Sequence, residues 1–314
     1  MKIIYIDPVV HSEVSRTYKY YNGLYDALDE KADCFLCSRD VKNIQSVIDE
    51  CHFKPDVIVF GLGWNKFERI EGLEKFSSIF FMFKPQNNLE CKLRFCSLNK
   101  IGLILSSVPY YKDYEVEGVS AKRFCYAADK NVFKKYNKKK VYDVGFSGAL
   151  HNNRQYVSGA FDTVNIRDRL QNMLAKEKRL NTFLNGSDLV DPRIKSYQEY
   201  AKKISQSKIW LATNAAFGDM TPRYFEIPMS GTLLMCNEVP DTYKDIFRDG
   251  ETCVEFSNDL SDFLDKIHYY LGNWEKSQEI INRAAREFRR NHTWDERALQ
   301  FLQIIKDLKA NANK

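Results

Sequence analysis

Arg223 and Glu226 are the residues whose types and spacing point most directly to chemistry. They lie three apart in "TPRYFEIPMSGTLLM" (221–235), just before an apolar run that predicts a buried strand. Thr221 and Pro222 are typical of a helix start, with Thr221 as the cap, which places Arg223 in the first helical turn. The helix dipole disfavours a cation there unless it faces an anion. A pyrophosphate would be such an anion, and a guanidinium suits its oxygens.

Glu226 follows Arg223 by one turn and lies on roughly the same helix face. A carboxylate in that position could accept hydrogen bonds from the two vicinal hydroxyls of a ribose. The alternative is an ordinary surface ion pair, and the spacing alone favours this alternative.

A second candidate segment is "DVGFSGALHNNR" (143–154), in which a predicted strand ends in Ser147 and Gly148 and a polar loop with Arg154 follows. Small residues after a strand let the backbone approach a phosphate, and free N–H groups there can bind it. A tight turn without a ligand is the alternative. The first half of the chain has no GxGxxG motif, so a nicotinamide site is not predicted.

The composition is that of an ordinary globular protein large enough for two domains: 314 residues, 44% hydrophobic and 28% charged. The net charge of +5 permits an anionic ligand without requiring nucleic acid. We find no signal peptide and no apolar run of about 18 residues, so no membrane span is expected. The eight scattered cysteines are typical of a reduced cytoplasmic protein.

Short apolar runs alternate with helical patterns along the whole chain. Strands are predicted at 2–6, 32–37, 55–61, 78–83 and 101–107, and again at 142–148, 179–186, 208–213, 232–237 and 251–256. This alternation predicts an α/β fold with two Rossmann-like, doubly wound domains that face each other across a cleft. In such sheets ligands bind at the carboxyl ends of the strands.

The lysine-rich segment "KKYNKKK" (134–140) marks the predicted boundary between the domains. We therefore expect an N-terminal domain over residues 1–135 and a second domain over residues 140–290. A C-terminal helix over 291–314 is expected to pack back on the N-terminal domain.

Several spaced motifs resemble the C-terminal half of the CgeB-like glycosyltransferases, relatives of the group-1 (GT4-type) enzymes with the GT-B fold. They are the helix and corner "RYFEIPMSG", the strand "DGETCVEF", the ending "HTWDER" and the domain start "YDVGFSGALHNNR". The match covers about residues 140–300, and the first half matches only as a class of fold.

The resemblance implies a nucleotide-sugar donor bound by the second domain, with Gly148 near the diphosphate, Arg223 on phosphate and Glu226 on the ribose. The donor-binding residues that it implies are Ser147, Gly148, Arg154, Asn214, Asp219, Thr221, Arg223, Tyr224, Glu226, Ser230 and Gly231. Many GT4 enzymes have two glutamates eight positions apart. Here Gly218 occupies the first of these positions and Asp219 is its neighbour, so a mechanism that depends on that glutamate is not implied.

The chain contains no Asp-x-Asp, the pair with which the other large transferase fold holds a divalent metal. We therefore expect metal-free departure of the nucleotide, with no metal and no cofactor besides the donor substrate. An inverting enzyme needs a base in the first domain, for which His11 and Glu13 are the candidates. A retaining enzyme needs no strong base, and the sequence leaves the stereochemistry open.

Together these features predict a cytoplasmic, metal-independent hexosyl- or pentosyltransferase that moves sugar from a UDP- or GDP-sugar to a hydroxyl of a glycan or other acceptor. One alternative is a nucleotide-sugar epimerase of the same shape, which would need several acid–base groups around the sugar. Another is a non-catalytic carbohydrate-binding or structural relative, against which the retention of Arg223 and Glu226 argues.

Overall fold

The chain folds into two compact units. The computed structural model describes residues 1–9, 22–82, 88–136, 139–150, 163–186, 194, 196–214, 218 and 220–312. The first unit is Met1–Cys125 together with Trp294–Lys314, and the second is Tyr126–Thr293. The predicted boundary at 134–140 therefore lies inside the second unit, because the chain changes units about ten residues earlier.

A six-stranded parallel sheet forms the centre of the first unit, in the order β2-β1-β3-β4-β5-β6. Its strands are β1 (Lys2–Ile6), β2 (Asp33–Cys37), β3 (Val57–Phe60), β4 (Ser78–Phe81), β5 (Leu103–Ser106) and β6 (Ser120–Arg123). The first five overlap the predicted strands. The sequence analysis missed β6, an edge strand of sequence SAKR, because it has no apolar run.

The helices of the first unit include one from the far end of the chain. They are α1 (Asn22–Asp29), α2 (Gln45–Cys51), α3 (Leu89–Leu98) and α9 (Trp294–Ala312). The Trp294 ring of α9 lies so close to Gly23 of α1 that any Cβ there would overlap it. The Phe301 ring stacks on Phe81 at the end of β4, with ring centroids 5.4 Å apart. These contacts bury the apolar side of the C-terminal helix in the first unit.

The second unit contains a five-stranded parallel sheet in the order β11-β10-β9-β7-β8. Its strands are β7 (Tyr142–Gly148), β8 (Thr182–Gly186), β9 (Ser207–Ala212), β10 (Leu233–Asn237) and β11 (Val254–Phe256). Its helices are α4 (Thr163–Lys176), α5 (Tyr197–Ser205), α6 (Arg223–Met229), α7 (Phe263–Gly272) and α8 (Trp274–Asn291). All five strands overlap the predicted ones.

Strands β9 and β10 are buried along nearly their whole length, as expected for a parallel sheet with helices on both faces. Gly145 in β7 has a specific packing role, because a side chain there would overlap the buried Trp210 ring of β9. The two parallel sheets confirm the predicted α/β class with two Rossmann-like domains. Within the described ranges, no helix is long and apolar enough to cross a membrane.

Candidate functional site

The candidate site lies at the carboxyl edge of the second sheet, where β7, β9 and β10 end side by side. The amino end of α6 comes to this edge, because its first residue contacts the last residue of β7. A Cβ placed on Gly148 would be 3.3 Å from Nη2 and 3.5 Å from Nη1 of Arg223. The structure thus brings together the two segments that the sequence analysis identified separately.

A tyrosine of α5 holds the Arg223 side chain by a hydrogen bond. Its Nε donates a hydrogen bond of 3.2 Å to the hydroxyl oxygen of Tyr200. The residue as a whole is partly exposed, whereas its Nη1 atom is buried. A planar group with several donors in that position suits the oxygens of a phosphate.

Glu226 is almost completely buried, with 2% of its surface exposed. The Tyr197 hydroxyl donates to its Oε1 at 3.2 Å. Burial raises the pKa of Glu226 to about 7, although the Arg223 charge and the Tyr197 hydrogen bond lower it. In the described part of the chain no ion pair joins Glu226 to Arg223. The surface ion pair considered from the spacing alone is therefore not formed.

Tyr197 and Tyr200 hydrogen-bond to the two candidate residues of α6, and the sequence analysis did not identify them. They lie three apart on α5, so both point from one helix face at residues that are also three apart on α6. Ser196 caps α5, its hydroxyl accepting from the Glu199 amide at 3.2 Å. The sequence signal for these residues is the pattern Tyr-x-x-Tyr after a capping serine. This pattern does not reveal that the tyrosines contact Arg223 and Glu226, because those contacts depend on the packing of α5 on α6.

Thr221 does not cap α6 with its side chain, contrary to the expectation from the sequence. Pro222 is the N-cap residue, and its carbonyl accepts from the amides of Phe225 and Glu226. The Thr221 hydroxyl is buried and forms no hydrogen bond within the described residues.

Arg167 is a further residue at this edge that the sequence analysis did not identify. It is buried on α4, and its Nε donates to Thr213 Oγ1 at 2.6 Å. Its Nη1 donates to the Ala149 carbonyl at 3.1 Å and its Nη2 to the Asn214 carbonyl at 3.2 Å. One side chain therefore fixes the segments that follow β7 and β9.

Tyr224 and Asn214 belong to a hydrogen-bonded cluster at this edge of the sheet. The Tyr224 hydroxyl is fully buried, 2.7 Å from Asn214 Oδ1 and 3.2 Å from Asn237 Oδ1. The backbone N–H of Asn214 donates to Asn237 Oδ1 at 2.9 Å. On β7, Ser147 Oγ donates to Asn185 Oδ1 at 3.3 Å. These groups bind one another, so the structure gives Tyr224 a supporting position instead of one that lines a pocket.

Ser230 and Gly231 lie at the opposite end of α6. Ser230 Oγ donates back to the Glu226 carbonyl at 2.8 Å, and Gly231 lies beside the Lys135 side chain at the start of β10. A seven-residue helix is about 10 Å long, so these two residues are roughly that far from Arg223. The structure therefore does not place them with the other predicted donor residues. His11, Glu13, Arg154 and Asp219 lie outside the described residues.

Comparison with known proteins agrees with this architecture. Residues 167–303 match a family model described as glycosyl transferase-like. Among curated proteins no sequence relative is found.

Three solved structures are similar over nearly their whole length. A sucrose-phosphate synthase from Thermosynechococcus elongatus has a TM-score of 0.65 at 11% identity, covering 99% of this chain and 100% of that one. Anabaena HepE, solved in complex with UDP, has a TM-score of 0.61 at 10% identity, covering 98% and 100%. A glycosyltransferase from Rickettsia africae has a TM-score of 0.60 at 11% identity, covering 98% of each chain. The chain thus has the fold of the GT-B glycosyltransferases, and much of its second unit matches a glycosyl transferase-like model.

Proposed function

We propose that this protein is a glycosyltransferase of the CgeB-like, GT4-related type that binds a nucleoside-diphosphate sugar at the carboxyl edge of the second sheet. The observation that carries the proposal is the Arg223 guanidinium against Gly148, on the same short helix as the buried carboxylate of Glu226. Gly148 has no side chain, so a diphosphate can approach the guanidinium and the end of β7 together.

The chemistry that these residues supply is stabilisation of the departing nucleoside diphosphate. As the bond between the anomeric carbon and the diphosphate oxygen breaks, negative charge grows on that oxygen. A fixed guanidinium and the amino end of α6 are donors already in place to receive it. Because the chain lacks an Asp-x-Asp pair, we propose that this departure requires no metal.

Glu226 is proposed to accept hydrogen bonds from the ribose hydroxyls. Its Oε1 is bound to Tyr197, and its other oxygen has no hydrogen bond among the described residues. A UDP-sugar is the donor class to test first, because HepE has been solved with UDP and with UDP-glucose. A GDP-sugar, hexosyl or pentosyl, is the next class. The acceptor is proposed to be a hydroxyl of a glycan or another molecule.

Calorimetric titration of UDP into the wild type, Arg223→Ala and Glu226→Ala tests the site. We expect each variant to weaken binding by roughly 10- to 100-fold, the effect of losing a hydrogen bond to a charged group. Arg290→Ala and Glu279→Ala, on exposed positions of α8, are the matched controls and should bind as the wild type does. Unchanged UDP affinity in both site variants would rule out the assigned site.

Two alternatives predict different products. An epimerase would convert the nucleotide sugar without an acceptor, and a non-catalytic relative would bind none of the UDP-, GDP-, ADP- and CMP-sugars in a thermal-shift panel. A transferase should release nucleoside diphosphate only in proportion to acceptor glycosylation, and this release should persist after chelation of divalent metals.

A further inference from the structure

A pocket lies at the amino-terminal edge of the second sheet, at the end of α6 away from Arg223. It has a volume of about 370 Å³, within the size range of small-ligand pockets. Its walls come from the segment before β7, the starts of β9 and β10, and one face of α8. Its described lining residues include no carboxylate. They include four cations, Lys135, Lys140, Lys208 and Arg289.

Lys140 has a structural role in this pocket. Its ammonium donates to the Ser205 carbonyl at 3.0 Å, the Gly231 carbonyl at 2.7 Å and Thr232 Oγ1 at 3.1 Å. These carbonyls follow the last turns of α5 and α6, where the helix dipoles are negative. Lys140 therefore offsets the partial negative charge that would otherwise repel an anion from this end of α6.

Lys135 and Arg289 have no carboxylate partner within the described residues. The stem of Lys135 packs over Gly231, 3.7 Å from where a Cβ would stand, and the residue lines the pocket. Arg289 donates to the carbonyls of Lys130 and Phe133, at 3.3 and 3.5 Å. Lys208 is paired with Asp143 at 2.8 Å. Among the described residues, this is the one ion pair that the four cations form.

These like charges lie close enough to disturb one another. Burial and the neighbouring charge of Lys135 lower the pKa of Lys140 to about 7. A bound anion would relieve this repulsion, since an opposite charge favours the protonated ammonium. The Trp274 ring also lines the pocket and lies under the Lys208 ammonium, 5.9 Å from the ring centroid.

We propose that this basic pocket, formed by Lys135, Lys208, Arg289 and Trp274, binds a small anion that carries a phosphate or diphosphate group, separately from the donor site. Its volume suits a small ligand and excludes the body of a nucleic acid. Lys and Arg are the side chains that bind phosphate oxygens, and the aromatic wall accommodates a ring attached to them. The group could belong to a soluble metabolite or to a lipid headgroup.

The first experiment is calorimetric titration of inorganic pyrophosphate into the full chain carrying Arg223→Ala, which removes the proposed phosphate contact of the donor site. In that background we expect saturable binding, weakened at least about tenfold by Lys135→Gln with Arg289→Gln. Lys134→Gln with Arg290→Gln, the sequence neighbours that do not line the pocket, removes the same charge and should leave the affinity within about twofold.

Lys135→Gln alone, which breaks no hydrogen bond among the described residues, separates anion binding from any folding defect of the double variant. Sedimentation with phosphatidylcholine vesicles, with and without phosphatidylglycerol, distinguishes the source. Pocket-dependent sedimentation indicates a lipid headgroup, and pyrophosphate binding without sedimentation indicates a soluble ligand. The proposal is overturned if pyrophosphate does not saturate, or if the pocket and control pairs weaken it equally. It is independent of the proposed glycosyltransferase activity.

Discussion

Glu226 shows how burial changes the chemistry of a single residue. In the unfolded chain its carboxyl group titrates near 4.5, whereas in the folded protein burial raises the pKa to about 7. Between these two values the folded state binds the additional proton. The free energy of unfolding therefore falls as the pH rises through this window, and the loss is complete above about pH 7.

We expect Glu226→Gln to remove this dependence, because the amide is always neutral. A shift of about 2.5 pH units corresponds to roughly 3 kcal/mol. The variant should match the wild type near pH 4.5 and exceed its unfolding free energy by up to about 3 kcal/mol at pH 8, while losing UDP affinity. Urea denaturation of both proteins across this range measures the difference. A difference that does not change with pH would contradict a carboxylate whose pKa is raised by burial.

Single residues also show which parts of the site were predictable. Arg223, Glu226 and Gly148 could be identified because their helix and strand positions follow from local sequence. The supporting side chains could not, because their partners come from other elements. Tyr200 acquires its role only when α5 packs on α6, and Arg167 only when the ends of β7 and β9 lie side by side. Local sequence also predicted a side-chain cap by Thr221 that the structure does not contain.

At the scale of elements, the apolar runs located ten of the eleven described strands. Buried parallel strands are nearly continuous apolar segments, so composition alone reveals them. The edge strand β6 is exposed on two of four positions and carries two cations, so its pairing with β5 leaves no such signal. The chain changes units between Cys125 and Tyr126, about ten residues before the lysine-rich segment 134–140. Lysines indicate solvent exposure, which does not by itself mark where one core ends.

Strand β7 positions Gly148, and its own place in the sheet depends on Gly145. We expect Gly145→Ala to destabilise the protein by about 1–3 kcal/mol, since the methyl group would overlap the fully buried Trp210 ring. Gly272→Ala is the matched control, because a Cβ there meets no atom within 4 Å. Chemical denaturation of the two variants measures the effect. Equal stability would show that β9 yields to the additional methyl group and that the close approach is not required.

At the scale of the whole molecule, the two units differ in how the chain builds them. The second unit is one continuous segment, whereas the first needs the C-terminal helix to cover its sheet. Phe301 is fully buried between Phe81 and Phe124, with centroids 5.4 and 6.0 Å away. Arg297 on the same helix donates to the Cys125 carbonyl at 3.1 Å, so α9 is tied to the end of the first segment.

Phe301→Ala should therefore act on the first unit alone. Removing a buried phenylalanine costs about 3–5 kcal/mol through lost burial and the cavity that remains. We expect calorimetric unfolding to show a transition at lower temperature, while UDP affinity measured below that transition stays within about twofold, because the proposed donor residues all belong to the second unit. Leu299→Ala, at a half-exposed position of α9, should change neither quantity. If stability and UDP affinity fall together, α9 also stabilises the second unit, and the expectation is wrong.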